Sequence, residues 1–456
     1  MKRNDDSILK KRFGGNGMTA EEVLKKVKEE GIKFIRLQFT DINGTIKNVE
    51  IPSEELETAF EKGIMFDGSS IEGFVRIEES DMYLRPDPDT FAVLPWTSEN
   101  IKSARLICDV YTPDGKPFEG DPRYRLKVVK EKAEKMGFSV FAGPELEFFI
   151  IPADDEGKPI LRFLDSGSYF DLLPLSKAEE LRRDTAVALR KMGILVEASH
   201  HEVAPSQHEV DFKYSDILKT ADNTQTVKLV IKTMAIFHGF HATFMPKPFF
   251  GVNGSGMHVH MSLFKDGKNA FYDPNDPLGL SDTLRKFVGG LMKHARAITA
   301  ITNPTINSYK RLVPGYEAPV NIAWSVGNRS AMIRVPKARG ERTRIEYRAP
   351  DPSCNIYLAF AVMVSAGLHG IEEGIEPPPP VEENIYRMPA ERKKELKIMP
   401  LPGSLKEAIE EMEKDPLIKE VLGDHIYEKF LETKEREWRE FTVHVTDWEL
   451  KKYIYL

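Results

Sequence analysis

Ionisable side chains occupy alternate positions in four short, strand-like segments of this 456-residue sequence, at residues 144–149, 202–211, 257–263 and 344–348. Side chains at positions i and i+2 of a strand lie on the same face of a sheet. Each segment therefore predicts one apolar face and one face of carboxylates, imidazoles or guanidinium groups. Like charges crowded on one face repel, so such a face requires bound cations. If one sheet carries all four segments, the pattern predicts a metal and phosphate site.

The carboxylates and imidazoles indicate which metal such a site would hold. Glu145 and Glu147 alternate within apolar sequence, and His258 and His260 alternate in the same way. A solvated strand face is the ordinary interpretation of a single Glu-x-Glu, but a carboxylate pair inside a core is very costly without partners. One histidine can ligate a metal while the other serves a different ligand. Carboxylates with one or two imidazoles and no thiolate suit Mg²⁺ or Mn²⁺.

Arginines near apolar sequence are concentrated in the C-terminal half of the chain. Arginine binds carboxylates and phosphates through a planar fork of donors. For any single arginine an ordinary salt bridge is an equally good interpretation, but the whole set favours anionic substrates. The set is Arg311, Arg329, Arg334, Arg344 and Arg348.

Three loops have both a structural and a functional interpretation. Residues 251–256 are glycine-rich but precede a strand and lack Gly-Lys-Ser/Thr, so a turn is favoured over a nucleotide-binding loop. Residues 313–319, with Glu317 between two prolines, are either a surface turn or an active-site lid. Residues 66–70, with Asp67, read by themselves as a turn.

Composition excludes several classes of protein. The net charge of −7 and the pI near 6.0 argue against nucleic acid as the main partner. The two cysteines, Cys108 and Cys354, lie far apart and predict a reducing compartment. The longest apolar run is shorter than the roughly 20 residues that cross a bilayer, and the first residues lack the apolar core of a secretory signal. We expect a cytoplasmic protein that does not bind membranes.

Segments rich in glycine, proline and charged residues divide the chain into a flexible extension (1–17), a small α+β domain (18–110) and a second domain (111–456). Thr19 and Glu22 predict a capping box at the start of a helix that ends at Gly31. Asn43-Gly44 predicts a hairpin turn, and Ser53 is expected to cap a second helix. Further helices are predicted from Asp121-Pro122 and at about 176–192, 214–239, 281–300, 355–369 and 404–440.

Four motifs, taken together, resemble type I glutamine synthetase from about Thr19 to the C-terminus. They are Phe-Asp-Gly-Ser-Ser at 66–70, Gly-Pro-Glu-Leu-Glu at 143–147, Asn-Gly-Ser-Gly-Met-His-Val-His at 253–260 and Lys-Arg-Leu-Val-Pro-Gly-Tyr-Glu-Ala-Pro at 310–319. The resemblance implies an α+β fold, with an N-terminal β-grasp domain and a C-terminal catalytic domain whose antiparallel sheet is flanked by helices, like that of guanido kinases. It also implies a homododecamer of two hexameric rings, with active sites between neighbouring subunits.

The activity that the resemblance implies is ATP-dependent ligation of ammonia to L-glutamate. The products are L-glutamine, ADP and phosphate, formed through a γ-glutamyl phosphate, and each active site uses two to three Mg²⁺ or Mn²⁺ ions. The implied small-molecule partners are glutamate, ATP and ammonium, with glutamine as a feedback inhibitor and nitrogen-regulatory proteins as further partners. This chemistry agrees with the residues, because metals and arginines stabilise a phosphoryl group in transfer.

The resemblance also implies roles for individual residues. The ligands of one metal site of the family are matched here by Glu147, Glu202 and Glu209. Those of the other are matched by Glu145, His258 and Glu346. The family's groups that neutralise the transferring phosphate are matched by Arg334, Arg344 and Arg348. The glutamate-binding groups resemble Asn253, Gly254, Arg311, Glu317, Arg329 and Arg348. The nucleotide contacts resemble Glu197, His260, Ser262, Arg329, Arg334 and Arg344. The ammonium site resembles Ser70, Tyr169, Glu202 and Glu317, with Asp67 from the adjacent subunit as the proton acceptor.

The sequence departs from the longer, adenylylated subclass of the family. That subclass carries a regulatory tyrosine followed by Asp-Leu-Pro-Pro-Glu, whereas Tyr386 is followed here by Arg-Met-Pro-Ala-Glu. Residues 72–76, Glu-Gly-Phe-Val-Arg, resemble the shorter alpha subclass, in which this arginine takes part in feedback inhibition. We therefore predict that Arg76 is regulatory and that Tyr386 is not adenylylated.

Two alternatives remain open from the sequence. One is a relative that joins glutamate to an amine larger than ammonia, against which Asp67 and Glu317 argue. The other is an inactive structural homologue, against which the complete set of metal ligands argues.

Overall fold

The structure is a computed structural model that describes residues 17–71, 73 and 81–456. The extension predicted for residues 1–17 therefore lies outside the described residues, apart from Gly17. The described chain forms a six-stranded and a ten-stranded sheet, each with its own buried apolar cluster.

The N-terminal sheet is built as the turn signals predict. Helix α1 begins after Thr19, which forms the predicted capping box with Glu22, and ends at Gly31 in the left-handed conformation. Strands β1 and β2 pair as an antiparallel hairpin around Gly44. The sheet order is β2-β1-β6-β4-β3, with β5 paired to β6. The elements are α1 (Ala20–Glu30), β1 (Phe34–Thr40), β2 (Ile46–Pro52), α2 (Leu56–Lys62), β3 (Ile64–Asp67), β4 (Asp81–Pro86), β5 (Ala92–Val93) and β6 (Ser103–Tyr111).

The prediction that Ser53 caps the second helix is wrong. Ser53 lies inside a 3₁₀ turn, Ser53–Glu55, which continues directly into α2, and no side chain caps either segment. The turn already satisfies the first backbone donors, because the Leu56 N–H donates to the Ser53 carbonyl.

The ten-stranded sheet carries the charged segments and has the order β14-β15-β16-β12-β7-β9-β8. It is antiparallel, as expected, except that β14 and β15 are parallel. The strands are β7 (Ser139–Pro152), β8 (Val196–His201), β9 (Gln207–Phe212), β10 (Ser215–Asp216), β11 (Phe240–Thr243), β12 (Met257–Lys265), β13 (Lys268–Asn269), β14 (Trp324–Val326), β15 (Ile333–Val335) and β16 (Ile345–Tyr347).

Helices cover the apolar side of this sheet, and the most buried is α8, whose residues from Ile356 to Leu368 are all inaccessible to solvent or nearly so. Helix α6 packs on α8 so closely that a Cβ at Gly290 would lie 2.1 Å from the Ala366 carbonyl oxygen. The helices are α3 (Pro122–Lys135), α4 (Glu179–Lys191), α5 (Ile217–Phe237), α6 (Asp282–Thr302), α7 (Ser308–Arg311), α8 (Ile356–Glu372), α9 (Ala390–Glu395), α10 (Leu405–Glu413), α11 (Pro416–Thr442) and α12 (Asp447–Tyr453).

The second charged segment is not one strand. Residues 202–206 form a turn between β8 and β9, closed by a hydrogen bond from the Glu202 N–H to the Gln207 carbonyl, 2.7 Å. Pro205 has no N–H to give to a sheet, and Ser206 adopts a left-handed φ of 65°. Glu202 and Glu209 therefore approach each other from opposite sides of a tight connection rather than along one strand.

A buried ionic cluster joins the two sheets. The Arg123 guanidinium at the start of α3 contacts Asp87 and Asp109 from the N-terminal part, each at 2.7 Å, and Asp222 of α5 at 2.9 Å. Cys108 and Cys354 are buried free thiols. Among the described residues, no helix is both long and apolar enough to span a membrane.

Candidate active site

The paired strands β7 and β12 place one carboxylate between two imidazoles. In their register Glu145 lies opposite His258. The Glu145 carboxylate oxygens contact His258 Nδ1 at 3.1 Å and His260 Nε2 at 2.7 Å. The alternation predicted from the sequence is therefore present, with Leu146 and Val259 fully buried on the other face. His260 also accepts a hydrogen bond from Arg344 Nε at 3.1 Å.

Strand β16 adds a buried carboxylate held by two arginines. Glu346 is 1% exposed; it contacts Arg334 Nε on β15 and Arg348 Nη1 at 2.9 Å. His258 Nδ1 lies 3.6 Å from the same carboxylate. Glu145, His258 and Glu346 thus offer ligand atoms that all lie within 4.8 Å of one another. The structure brings this predicted set together.

A second group of potential ligands lies where β8 and β9 meet. His200, Glu202 and Glu209 offer ligand atoms within 4.8 Å of one another, with His200 Nε2 at 3.1 Å from Glu209. Glu147 lines one cavity together with Glu202 and Glu209, and its Oε1 lies 4.0 Å from His258 Nε2. Gln207 Nε2 and the Gly256 N–H donate to the Glu147 carboxylate at 3.1 and 2.8 Å.

The carboxylates differ in how their surroundings shift their pKa values. Burial, followed by the charges of Glu147 and Glu209, raises the pKa of Glu202 to about 8. Burial and the charge of Glu147 raise the pKa of Glu209 to about 10. Burial opposes ionisation of Glu145 as well, but hydrogen bonds from His258 and His260 more than offset it and lower the pKa. Raised values mark carboxylates that repel one another without a counterion.

These donors fit divalent cations. The two groups offer carboxylate oxygens with one imidazole each and no thiolate, which is the donor chemistry of Mg²⁺ and Mn²⁺. A cation placed between Glu202 and Glu209 would relieve the repulsion that raises their pKa values.

Most of the predicted site residues line one cavity of about 610 Å³. Predicted residues in its wall are Glu145, Glu147, Tyr169, Glu202, Glu209, Asn253, Gly254, His258, Arg311, Glu317, Arg329, Arg334, Glu346 and Arg348. A second cavity of about 720 Å³ adjoins the first at Glu145. Its wall contains the predicted residues Glu197, His260, Ser262 and Arg344.

The loop of residues 313–319 covers the first cavity. Glu317 has a left-handed φ of 61°, and its carboxylate accepts a hydrogen bond from Asn253 Nδ2 at 3.1 Å. Its backbone carbonyl accepts one from the Tyr386 hydroxyl at 2.5 Å. We call residues 313–319 the lid loop.

Asp67 and Ser70 do not reach the cavity within a single described chain. Asp67 ends β3 in the N-terminal sheet, is exposed, and accepts hydrogen bonds from the Ser69 hydroxyl at 2.7 Å and the Ser69 N–H at 2.8 Å. These bonds lower the pKa of Asp67, so the side chain is charged at neutral pH. Arg76 lies outside the described residues. The nearby Gly73 accepts a hydrogen bond from His425 at 2.7 Å.

Sequence reasoning missed several residues of the candidate site. His200 stands two positions before Glu202, so extending the alternation rule would have found it. Asp211 faces Glu145 across β7 and β9, lines the second cavity, and has a pKa raised to about 7 by burial and by Glu145. The sequence indicates Tyr386 only as a candidate modification site, because no local signal relates it to the lid loop.

Comparison with known proteins identifies the family. The glutamine synthetase β-grasp domain matches residues 31–113, and the glutamine synthetase catalytic domain matches residues 119–453. The glutamine synthetase of Thermotoga maritima is 71% identical over 439 residues, 96% of this chain and 100% of that protein. That of Thermus thermophilus is 58% identical over 442 residues, 96% of this chain and 99% of that protein.

A solved structure shares the fold at lower sequence identity. Ligand-free GmaS superposes with a TM-score of 0.86 at 31% identity, covering 95% of this chain and 99% of that chain. Both domains and their order therefore agree with the glutamine synthetases. The chain belongs to the glutamine synthetase family.

Proposed function

We propose that this chain ligates ammonia to L-glutamate, with cleavage of ATP to ADP and phosphate, through a γ-glutamyl phosphate. The observation that carries the proposal is the pair of adjoining cavities that meet at Glu145. One holds carboxylates, arginines and a lid loop, and the other holds Glu197, His260 and Ser262. Support also comes from near full-length similarity to glutamine synthetases and from a structural relative described as a GmaS/ADP complex.

The glutamate substrate fits the first cavity beneath the lid loop. Arg311 is 3% exposed and is held by the backbone carbonyls of Ala349 and Arg348, at 2.7 and 3.2 Å. A guanidinium fixed in this way can bind a carboxylate without further ordering. Gly254 lines this cavity, and a Cβ there would lie 2.3 Å from the Pro246 carbonyl oxygen, so any side chain would displace this part of the backbone.

Phosphoryl transfer would occur between the two cavities. ATP in the second cavity, whose wall includes Arg344, would direct its phosphates toward Glu145 and the first cavity, which Arg334 lines. Divalent cations held by the two ligand groups would neutralise charge on the phosphates and polarise the transferring group. Arg334 and Arg348 flank Glu346 and stabilise charge that develops on the phosphoryl oxygens.

The ammonium site would be completed by a neighbouring subunit. Glu202 and Tyr169 line the cavity, Glu317 approaches from the lid loop, and Asp67 and Ser70 would come from the next chain. An anionic pocket attracts NH₄⁺, and a carboxylate accepts the proton that ammonium must lose before the resulting ammonia can attack. This assembly, a homododecamer, the domain limits 18–110 and 111–456, and a cytoplasmic location remain our proposals.

A substrate screen tests the proposed function against both alternatives. We expect phosphate release that requires glutamate and ATP, together with glutamine formation that requires ammonium. A strong preference for a larger amine would identify a glutamate–amine ligase. Absence of any glutamate-dependent turnover in the assembled protein would identify an inactive homologue.

The two ligand groups should lose metal separately. Glu145→Ala or His258→Ala should weaken one metal site, and Glu202→Ala the other, by at least the 10- to 100-fold that loss of an outer-shell partner typically costs. Titration of Mn²⁺ by calorimetry measures both sites, with the exposed Glu61→Ala as a matched control. Full stoichiometry and rate in Glu145→Ala would show the assignment to be wrong.

The C-terminal segment should be buried in the assembly. Val443, Trp448, Tyr455 and Leu456 are 79%, 63%, 98% and 100% exposed in the single chain, and an apolar surface of this kind marks an interface. Sedimentation should show a particle near twelve chains, and deletion of residues 443–456 should yield smaller particles. A fully active monomer would contradict both the assembly and the shared active site.

Arg76→Ala should relieve inhibition by glutamine and leave the turnover rate largely intact. Arg76 closely follows the Asp67 loop, so its charge can bind a carboxylate or hold that loop in an inactive position. Inhibition curves at fixed glutamate provide the measurement. Arg36→Ala, which removes a partly exposed arginine paired with Glu50, is the control. Equal inhibition of Arg76→Ala and the parent would remove Arg76 from the mechanism.

Tyr386 should not be adenylylated, in keeping with the shorter subclass. Burial raises the pKa of its hydroxyl, which therefore stays protonated and donates to the Glu317 carbonyl beside the cavity. Mass spectrometry of protein from nitrogen-rich cells should show this tyrosine unmodified.

A further inference from the structure

The lid loop is held from below by a buried lysine. Lys247 is 8% exposed, and its ammonium group lies 3.7 Å from the centroid of the Tyr316 ring. The same Nζ donates a hydrogen bond to the Val252 carbonyl, next to Asn253. The Lys247 backbone is itself fixed, because it exchanges hydrogen bonds of 2.7 and 3.0 Å with the Asn307 side chain.

The lid loop is held from the other side by Tyr386. This residue lies in a 3₁₀ turn, Ile385–Arg387, that is capped by the Asn384 side chain. The turn is anchored to the body of the domain, because the Ile385 N–H donates to the Ser330 hydroxyl at 3.0 Å. From this anchored position the Tyr386 hydroxyl donates to the Glu317 carbonyl.

The lid loop needs such contacts to keep its conformation. Glu317 and Gly315 have left-handed φ values of 61° and 98°. A non-glycine residue in this region costs on the order of 1 kcal/mol or more and persists only when its surroundings enforce it. The Glu317 side chain is exposed, and its carboxylate accepts a hydrogen bond from Asn253 Nδ2. The contacts to the Tyr316 ring and to the Glu317 backbone therefore supply much of the stabilisation of this loop conformation.

We propose that Lys247 and Tyr386 are positioning residues that hold the lid loop closed over the acyl phosphate and so exclude water from it. The proposal rests on the proposed function, since it concerns the intermediate of that reaction. Tyr386 donates its hydrogen bond to the Glu317 backbone, and Lys247 contacts the Tyr316 ring, so both would act on the position of the loop and not on the group that faces ammonium.

The chemistry gives this role a specific signature. When ammonia attacks the acyl carbon, the bond to the phosphate oxygen breaks, and glutamine and phosphate leave in equal amounts. When water attacks the same carbon, the same bond breaks, and glutamate and phosphate leave. A lid loop that opens too often therefore raises the ratio of phosphate to glutamine above one. A merely structural defect lowers both products together and leaves the ratio unchanged.

The experiment compares isosteric variants with matched controls. Tyr386→Phe removes only the hydroxyl, and Lys247→Met removes the charge while keeping an apolar stem of similar length. The controls, Tyr427→Phe on helix α11 and Lys232→Met on helix α5, make the same chemical changes away from the lid loop. Lys232 Nζ lies 5.6 Å from the ring centroid of Phe244, which is not part of the lid loop. Phosphate and glutamine are both measured over a range of ammonium concentrations, and particle size and melting temperature confirm the fold.

The parent and the controls should give a ratio near one. Loss of one hydrogen bond typically shifts an equilibrium roughly 2- to 10-fold, so both test variants should show a ratio clearly above one at low ammonium. The excess should fall as ammonium rises, because ammonia then competes with water. A ratio that stays at one in Tyr386→Phe overturns the proposal, even if turnover falls. A parent that makes no glutamine overturns the proposed function instead.

Discussion

Asp67→Asn should bind ATP and glutamate nearly normally but form glutamine roughly 10²- to 10⁴-fold more slowly, the usual cost of losing a general base. Phosphoryl transfer would depend on the metal ligands and arginines of the two cavities, and Asp67 lies outside both in the single chain. Capture of ammonium depends on negative charge, and the lowered pKa of Asp67 keeps that charge present at neutral pH. The amide keeps the shape of the side chain but neither carries the charge nor accepts the proton.

Steady-state titrations in each substrate separate these steps for Asp67→Asn and Asp67→Ala. Asp81→Asn is the matched control, because Asp81 is exposed and lies opposite Asp67 in the register of β3 and β4. We expect the control to behave as the parent. If Asp67→Ala kept the parent's turnover and ammonium dependence, the ammonium site would have to be reassigned, while the metal sites would stand.

The structure shows which parts of the site follow from local pattern. A period of two is enough to place Glu145 and His258 on one face, and the antiparallel register then sets them opposite each other. The pattern does not reveal which strands become neighbours. The contact between Glu346 and His258 depends on β16 pairing with β12, and these strands are about 80 residues apart in the sequence.

Two failures have physical reasons. The alternation of residues 202–211 has the appearance of a strand, but the missing N–H of Pro205 and the left-handed Ser206 turn the backbone there. The contact of Tyr386 with the lid loop joins residues 69 positions apart through one hydroxyl and one backbone carbonyl. Such a contact leaves no periodic trace, because a backbone carbonyl is present at every position. The resemblance to a family located the lid loop, but not what holds it.

Glu346→Ala should weaken binding of the nucleotide–metal complex and phosphoryl transfer together, because this carboxylate is both a predicted metal ligand and the counterion of two arginines. Removing one partner from a buried ion pair typically costs about 3–5 kcal/mol, since the other charges stay buried and uncompensated. Both variants at this position, Glu346→Ala and the isosteric Glu346→Gln, should therefore also lower the free energy of unfolding of the metal-free protein. Glu407→Gln is the control, since its pairing with Arg296 is partly exposed and should contribute about 0–1 kcal/mol.

The pH dependence of the Glu346→Gln defect identifies its electrostatic part. Burial raises the pKa of Glu346, but His258 and Arg348 outweigh burial, and the net shift is downward. A carboxylate whose pKa is lower in the folded than in the unfolded protein stabilises the fold above its unfolded pKa, and this contribution is lost as pH falls through the folded pKa. The stability difference between parent and Glu346→Gln should therefore be largest near neutral pH and shrink on acidification. Denaturant melts in the presence of a chelator at several pH values measure this difference. If this difference did not change with pH, the stability defect would be due to packing and not to the charge of Glu346. If phosphoryl transfer were unchanged in the variant, Glu346 would not be a metal ligand.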